Sequence, residues 1–120
     1  MSNVKDSLRE AMTIEGAIAV ALVDYESGMT LGSDGDVRSF NIDVAAAGNT
    51  QVVRSKLDVM RQLGIGGTIE DILITLEDQY HLIRMLGGTT LFLYIAINRG
   101  RGNLGMARHR LKTIETNLVV

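Results

Sequence analysis

The chain has 120 residues and a net charge of −2; 46% of its residues are hydrophobic and 22% are charged. This length and composition predict a single globular domain over residues 1–120 and exclude a disordered chain. There is no cysteine, which excludes disulfides and thiolate metal sites, and the weak net charge and 4% aromatic content argue against nucleic acid as a partner. No apolar run approaches the roughly 20 residues of a membrane span, and the N-terminal segment lacks the apolar core of a signal peptide. We therefore expect a cytoplasmic protein with no membrane insertion.

The N-terminal part predicts one helix and one hairpin. Apolar spacing over residues 3–13 predicts a short amphipathic helix that Ser2 or Asn3 caps. Residues 16–24 are almost continuously apolar, so this strand should be buried on both faces. A turn over 25–28 leads to a short return strand, 29–32, which the turn-forming residues that follow should end.

The longest predicted helix covers residues 41–63, with Asn41 as its N-cap and Gly64 just past its end. Its apolar residues spread over about half of the helix circumference, whereas docking on one sheet needs a stripe of only about 100°. The excess predicts a second covered surface. Either a second copy of the chain or another helix of the same chain could cover it.

Three strands and a helix follow, at 68–77, 79–86, 90–97 and from 104 to 118, with Asn103 as the helix cap. The continuously apolar strand 90–97 should lie beside strand 16–24 in the middle of the sheet, and the alternating strand 68–77 should lie at an edge. The order α-β-β-α-β-β-β-α predicts an α+β fold of the α/β class. We expect a single five-stranded, mostly antiparallel sheet with helices on both faces, layered as in profilin.

The sequence offers no convergent set of catalytic groups, so we predict that the protein is not an enzyme and has no cofactor or metal site. His81 and His109 have no shared spacing, and no serine lies in a nucleophile elbow. The loop 99–103 opens a helix but lacks the lysine of a phosphate-binding loop. The remaining charged groups are predicted as solvated acids around the first hairpin and a local basic patch. These are Asp24, Glu26, Asp34 and Asp36, and Arg84, Arg99, Arg101, Arg108 and Arg110.

An exposed edge strand invites pairing with another chain, and pairing with its twofold copy would also bring two long helices side by side. This reasoning predicts a homodimer. Its predicted interface comprises Val52, Val59 and Leu63 on the helix and Ile72 and Ile74 on the edge strand.

Two segments carry a family resemblance: the first hairpin, GAIAVALVDYESGMTLGS, and the C-terminal stretch TTLFLYIAINRGRGNLGMARHRLKTIE. Together with the element order, they resemble the Roadblock / dynein light-chain family over about residues 5–118. The chain looks more like the bacterial stand-alone members, including the gliding-motility regulator type, than like dynein subunits.

The resemblance implies a five-stranded sheet with one long helix on one face and the terminal helices on the other. It implies homo- or heterodimers joined through the third strand, and a partner platform on the paired long helices. The implied partner is a Ras-like small GTPase or another signalling protein, and no catalytic residue is carried over. The candidate partner surface is Gln51, Arg54, Asp58 and Arg61. Arg54 and Arg61 serve either helix solubility or contact with the GTPase. The alternative function is a small-ligand sensory or profilin-like binding domain in a signalling complex.

Overall fold

The computed structural model describes residues 2–36 and 38–120. Within them the chain forms three helices and five strands. In chain order these are α1 (Val4–Ala11), β1 (Ala17–Asp24), β2 (Thr30–Gly35), α2 (Ile42–Leu63), β3 (Asp71–Thr75), β4 (Gln79–Met85), β5 (Leu91–Asn98) and α3 (Leu104–Asn117). None of the helices in the described residues combines the length and the apolarity needed to cross a membrane.

The strands form one antiparallel sheet in the order β2-β1-β5-β4-β3. The predicted α+β fold is confirmed, including the central placement of the two continuously apolar strands, β1 and β5. The prediction that β3 lies at an edge is also confirmed. All but the last residue of β5 are buried, because helices cover both of its faces.

The core has two layers. Helices α1 and α3 pack on one face of the sheet around Leu22, Leu93 and Leu111, and α2 packs alone on the other face around Val53 and Phe92. The alternative in which another helix of the same chain covers the apolar excess of α2 is therefore wrong. The other two helices lie on the opposite side of the sheet.

Asparagine side chains begin all three helices. Asn3, Asn41 and Asn103 each accept a hydrogen bond from the backbone N–H three residues later, as N-caps do. At the other end of α2, Gly64 has a φ of +69°, the left-handed conformation that ends a helix at low cost in glycine.

Strand β2 is longer than predicted. Residues 33–36 were predicted as a terminating turn, but the strand continues through Gly35, with Ser33 opposite Ala21 and Gly35 opposite Ala19. Polar side chains are tolerated there because β2 is an edge strand with solvent on one side. Gly35 has a φ of +125°, and a Cβ on it would lie 2.7 Å from the Ile18 carbonyl oxygen.

Strand β3 is shorter than the predicted range 68–77, and the β4–β5 connection is longer than a two-glycine turn. In that connection Leu86 N donates to Leu91 O, and the Thr89 hydroxyl donates to Leu86 O and accepts from Leu91 N. The loop therefore spans residues 87–90, and β5 starts one residue later than predicted. A tight turn at residues 77–78 joins β3 to β4, and Leu76 N donates to Gln79 O across it.

Candidate functional site

An open groove of about 750 Å³ lies between α2 and the start of β3. The helix side of this groove is formed by Gly48, Gln51, Val52, Ser55, Lys56 and Val59, and the strand side by Ile69, Asp71 and Ile72. Val52 is 36% exposed, Val59 is 41% exposed, and Leu63, one turn further along α2, is 65% exposed. Apolar side chains thus line a concave surface that the described chain leaves open.

The sheet covers only part of the apolar surface of α2. Ile42, Ala46 and Val53 point into the sheet and are almost completely buried. Val52 and Val59 lie beside that buried face, turned toward β3. We call the helix side of the groove, extended to Leu63, the valine flank.

The opposite side of α2 carries charge. Arg54, Asp58 and Arg61 line a second, polar groove of about 610 Å³, whose far wall includes Tyr25 and Glu26 of the turn after β1. We call these three residues the arginine flank. The sequence grouped Gln51 with them, but the structure places Gln51 in the valine flank, so the predicted partner residues are divided between two surfaces.

Arg54 has a structural role that the sequence did not reveal. Its guanidinium donates hydrogen bonds to the carbonyl oxygens of Tyr25, at 2.6 Å, and Glu26. Arg54 thereby ties α2 to the first hairpin across 28 residues of sequence, a contact with no local signature. Arg61 contacts only Asp58, at 3.2 Å on the same helix, and is largely exposed.

The outer edge of β3 presents unpaired backbone groups. Glu70 O accepts from Met85 N, and Leu76 N donates to Gln79 O, so even-numbered positions of this strand bond to β4. In an antiparallel ladder the intervening residues point their N–H and C=O groups the other way. Asp71, Leu73 and Thr75 therefore direct their backbone groups outward, where the described chain has no further strand.

The side chains of β3 alternate between the two faces. Ile72 packs with the core under α2, and Ile74, its neighbour on the same face, is partly buried opposite His81. Leu73 points to the α3 face and is 38% exposed. The middle of the edge is thus apolar on both faces, with Asp71 and Thr75 at its two ends.

A network of ion pairs holds the start of β3 against α3. The Asp71 carboxylate accepts two hydrogen bonds from Arg108, at 3.0 and 3.1 Å, and lies 3.9 Å from Arg84. Arg84 also donates to Glu115 at 3.2 Å. The Asp71 side chain is only 13% exposed, because α3 packs over it.

The predicted basic patch is divided among separate contacts. Arg84 and Arg108 belong to the network above, whereas Arg99 lies 5.4 Å from the centre of the Tyr80 ring and donates to Leu76 O. Arg110 donates to the Thr13 hydroxyl at 2.7 Å. These arginines stabilise the fold locally, so they do not provide a continuous basic surface.

His81 belongs to a buried aromatic cluster under the start of α2. Its Nε2 lies 2.7 Å from Gln79 Oε1, and its Nδ1 lies 3.0 Å from the Tyr94 hydroxyl. An amide oxygen can only accept, so Nε2 carries the proton and Nδ1 accepts from Tyr94. Burial lowers the pKa of His81 and raises the pKa of Tyr94, and Phe40 packs edge-on to the imidazole. The arrangement favours a neutral, structural histidine.

Carboxylates around the first hairpin accept hydrogen bonds from nearby backbone N–H groups in local turns. Asp24 accepts from Glu26 N and Asp36 accepts from Arg38 N. Hydrogen bonds lower the pKa of Asp24, with the Glu26 N–H as the largest contribution and the Thr90 side chain as the next. In residues 2–36 and 38–120, no group of three or more His, Asp or Glu side chains could hold a metal ion.

Comparisons with known proteins identify the fold. No protein-family model matches the sequence, and no curated protein matches it. Solved structures do match. The Roadblock/LC7 domain from Streptomyces avermitilis superposes with a TM-score of 0.80 at 14% identity, over 97% of this chain and 94% of that one.

Two gliding-motility proteins are also similar. MglB of Myxococcus xanthus has a TM-score of 0.75 at 17% identity, over 92% of this chain and 84% of that one. Gliding protein MglB from Thermus thermophilus has a TM-score of 0.70 at 16% identity, over 94% of this chain and 88% of that one. The chain therefore has the Roadblock/LC7 fold that its sequence resemblance implies.

Proposed function

We propose that this protein is a non-catalytic interaction module of the cytoplasm that works as a homodimer and serves as a regulator or scaffold for a Ras-like small GTPase. The observation that carries the proposal is the valine flank of α2 lying beside the unpaired edge of β3. Two features that a monomer leaves exposed meet at one groove. A second copy of the chain would cover both at once.

The unpaired edge of β3 and the apolar flank of α2 need different kinds of interaction from a partner. The outward N–H and C=O groups of β3 require backbone hydrogen bonds, and only another extended strand supplies them in a row. The aliphatic side chains of α2 require an apolar surface. A twofold axis beside β3 brings the partner's β3 and the partner's α2 to these surfaces together.

The GTPase part of the proposal is supported by the resemblance to bacterial stand-alone Roadblock proteins and by the likeness to MglB structures. In the dimer the arginine flanks stay exposed, because they lie on the opposite side of each α2. Within residues 2–36 and 38–120, the side-chain hydrogen bonds and ion pairs of Asp58 and Arg61 stay within α2. A partner that docks on the paired helices would meet these two residues.

The rival function, a small-ligand sensory domain, is less well supported. The groove beside α2 is open, so although Gln51, Ser55 and Lys56 border it beside the aliphatic side chains, it does not enclose a small ligand. Such a surface suits a protein contact better.

Molar mass in solution tests the first half of the proposal. Light scattering across a dilution series should give twice 13.1 kDa at micromolar concentration. A stable monomer at every concentration would refute the dimer and leave the groove as a docking face for a different protein.

Binding to a GTPase tests the second half. The protein would be mixed with a purified bacterial Ras-like GTPase, loaded with GDP or a GTP analogue, and the complex measured by calorimetry. We expect nucleotide-dependent binding that Arg61→Glu weakens at least tenfold without changing the dimer mass, with Lys5→Glu on α1 as the control. A dimer that binds neither nucleotide state would refute the GTPase assignment alone.

A further inference from the structure

We infer that two copies of this chain join in one specific register, with Leu73 of each β3 facing Leu73 of the other across the twofold axis. The inference rests on the proposed homodimer and goes beyond it, because it fixes which residues meet. The occupant of the groove is then a second copy of the chain.

The axis must run perpendicular to the sheet. In that orientation the two β3 strands pair antiparallel, and both α2 helices stay on the same face, where the valine flanks can meet. A strand that pairs antiparallel with its own copy has one residue opposite itself. Which residue this is defines the register.

The outward backbone groups favour Leu73 for that position. Asp71, Leu73 and Thr75 are the residues of β3 that point outward, and they are symmetric about Leu73. With Leu73 opposite itself, Asp71 of one copy pairs with Thr75 of the partner subunit, and each outward residue finds a partner within the strand. Centring on Ile72 or Ile74 leaves one of the three facing a residue outside the partner's strand.

Charge excludes one of those shifted registers more strongly. With Ile74 on the axis, Asp71 lies directly opposite Glu77 of the partner subunit, and like charges opposite one another destabilise a strand pair. With Leu73 on the axis, Asp71 lies opposite a threonine hydroxyl instead.

The side chains also match in this register. Ile72 lies opposite Ile74 of the partner subunit on the α2 face, so an apolar pair forms at the mouth of each groove. On the other face the two Leu73 side chains, each 38% exposed in one chain, cover each other. Both faces of the joined edge become apolar contacts.

The valine flank has a matching symmetry. The same axis makes the two α2 helices antiparallel, and Val52 and Val59 lie equally far from the midpoint between Ser55 and Lys56. Val52 of one copy then contacts Val59 of the partner subunit. Gly48 pairs in the same way with Leu63 of the partner subunit, the most exposed apolar residue of the flank.

This pairing explains why a glycine is present at position 48, inside a helix. Glycine inside a helix costs about 1 kcal/mol relative to alanine. Within its own chain, a Cβ on Gly48 would meet nothing within 4 Å. The open space above Gly48 is where the leucine of a second copy would pack.

Disulfide trapping tests the register, and the chain has no cysteine of its own to interfere. Single variants Ile72→Cys, Leu73→Cys, Ile74→Cys and Thr75→Cys would be oxidised and separated on non-reducing gels, with the dimer mass of each measured beforehand. Residues opposite each other in a hydrogen-bonded pair have Cα atoms about 5.5 Å apart, within the range a disulfide spans. A two-residue offset raises this to roughly 9 Å, which is too far.

We expect Leu73→Cys to form most of the covalent dimer and the other three to form little. If Ile72→Cys or Ile74→Cys crosslinks best, the register is wrong although the edge-paired dimer stands. If none crosslinks while all four remain dimeric, edge pairing itself is wrong. If the unsubstituted protein is monomeric, the proposed function fails first.

Discussion

Replacing Val59 with glutamate should separate the two copies while leaving each one folded. Val59 is 41% exposed, and in the proposed dimer this remaining surface is buried against the partner's α2. Full burial of a valine side chain is worth about 1.5–2 kcal/mol, so the part contributed by the dimer is about 0.7 kcal/mol per copy. Burying a carboxylate there adds roughly 2 kcal/mol per copy. By symmetry both terms count twice.

The sum is about 5 kcal/mol, which corresponds to a rise of more than 1,000-fold in the dimer dissociation constant. The monomer should tolerate the change, because the Glu side chain can turn toward water and glutamate is a better helix former than valine. Light scattering over a dilution series measures the dissociation, and circular dichroism melting at low concentration measures the fold.

The matched control is Ala47→Glu. It adds the same carboxylate to α2 at an exposed position on the arginine flank, seven residues before Arg54. The control should keep the dimer mass unchanged. If Val59→Glu remains dimeric at the same concentrations as the unsubstituted protein, or if both variants dissociate equally, the valine flank is not the interface.

Two further outcomes follow from the buried contacts. Stability should fall as the pH drops below about 6.5, the pKa of histidine in an unfolded chain, because the lowered pKa of His81 makes the unfolded state bind the proton first. Urea unfolding at several pH values should show that His81→Gln reduces this slope. Arg54→Ala should lower the free energy of unfolding by about 1 kcal/mol, because it frees two carbonyl oxygens from a charged donor. Arg61→Ala should change it by less than about 0.5 kcal/mol in the same titration; equal effects would contradict the tether between α2 and the first hairpin.

Features that depend on local chemistry could be predicted from the sequence. The Asn41 and Asn103 caps, the two central strands and the edge position of β3 all follow from residue type and spacing, whereas the sequence left the cap of α1 open between Ser2 and Asn3. The apolar excess of α2 was also readable, since helical geometry alone shows that one sheet cannot cover it.

Features that depend on tertiary contacts could not be predicted from the sequence. Nothing near Arg54 in sequence indicates that it bonds to residues 25 and 26, and nothing near Asp71 indicates Arg108. The end of β2 was misjudged because Ser33 and Gly35 are typical of turns, whereas pairing with β1 overrides that preference. The candidate site was predicted where it depends on helix periodicity, and missed where it depends on ion pairs between distant elements.

Those ion pairs connect α3 to the proposed interface. Asp71 directs its backbone outward from the edge of β3, while its carboxylate is held by Arg108 through two hydrogen bonds. Helix α3 thus positions the first residue that would pair with the partner strand. Loosening this contact should weaken dimerisation more than it weakens the fold, since Arg84 still holds the carboxylate of Asp71 within each copy.

The variant Arg108→Gln therefore distinguishes an effect on the position of the β3 edge from an effect on the stability of the fold. The Arg108–Asp71 pair lies within one chain and is present in both the monomer and the dimer, so its own energy cancels in the dissociation constant. The constant should rise because the loosened start of β3 must be ordered again on pairing, at about 1 kcal/mol per copy, which by symmetry gives a rise of at least roughly tenfold. The free energy of unfolding of the dilute monomer should fall by less than about 1 kcal/mol. Arg110→Gln is the control, because Arg110 lies on the same helix but contacts Thr13 near α1. An unchanged dissociation constant in Arg108→Gln, or an equal rise in both variants, would show that α3 does not position the edge of β3.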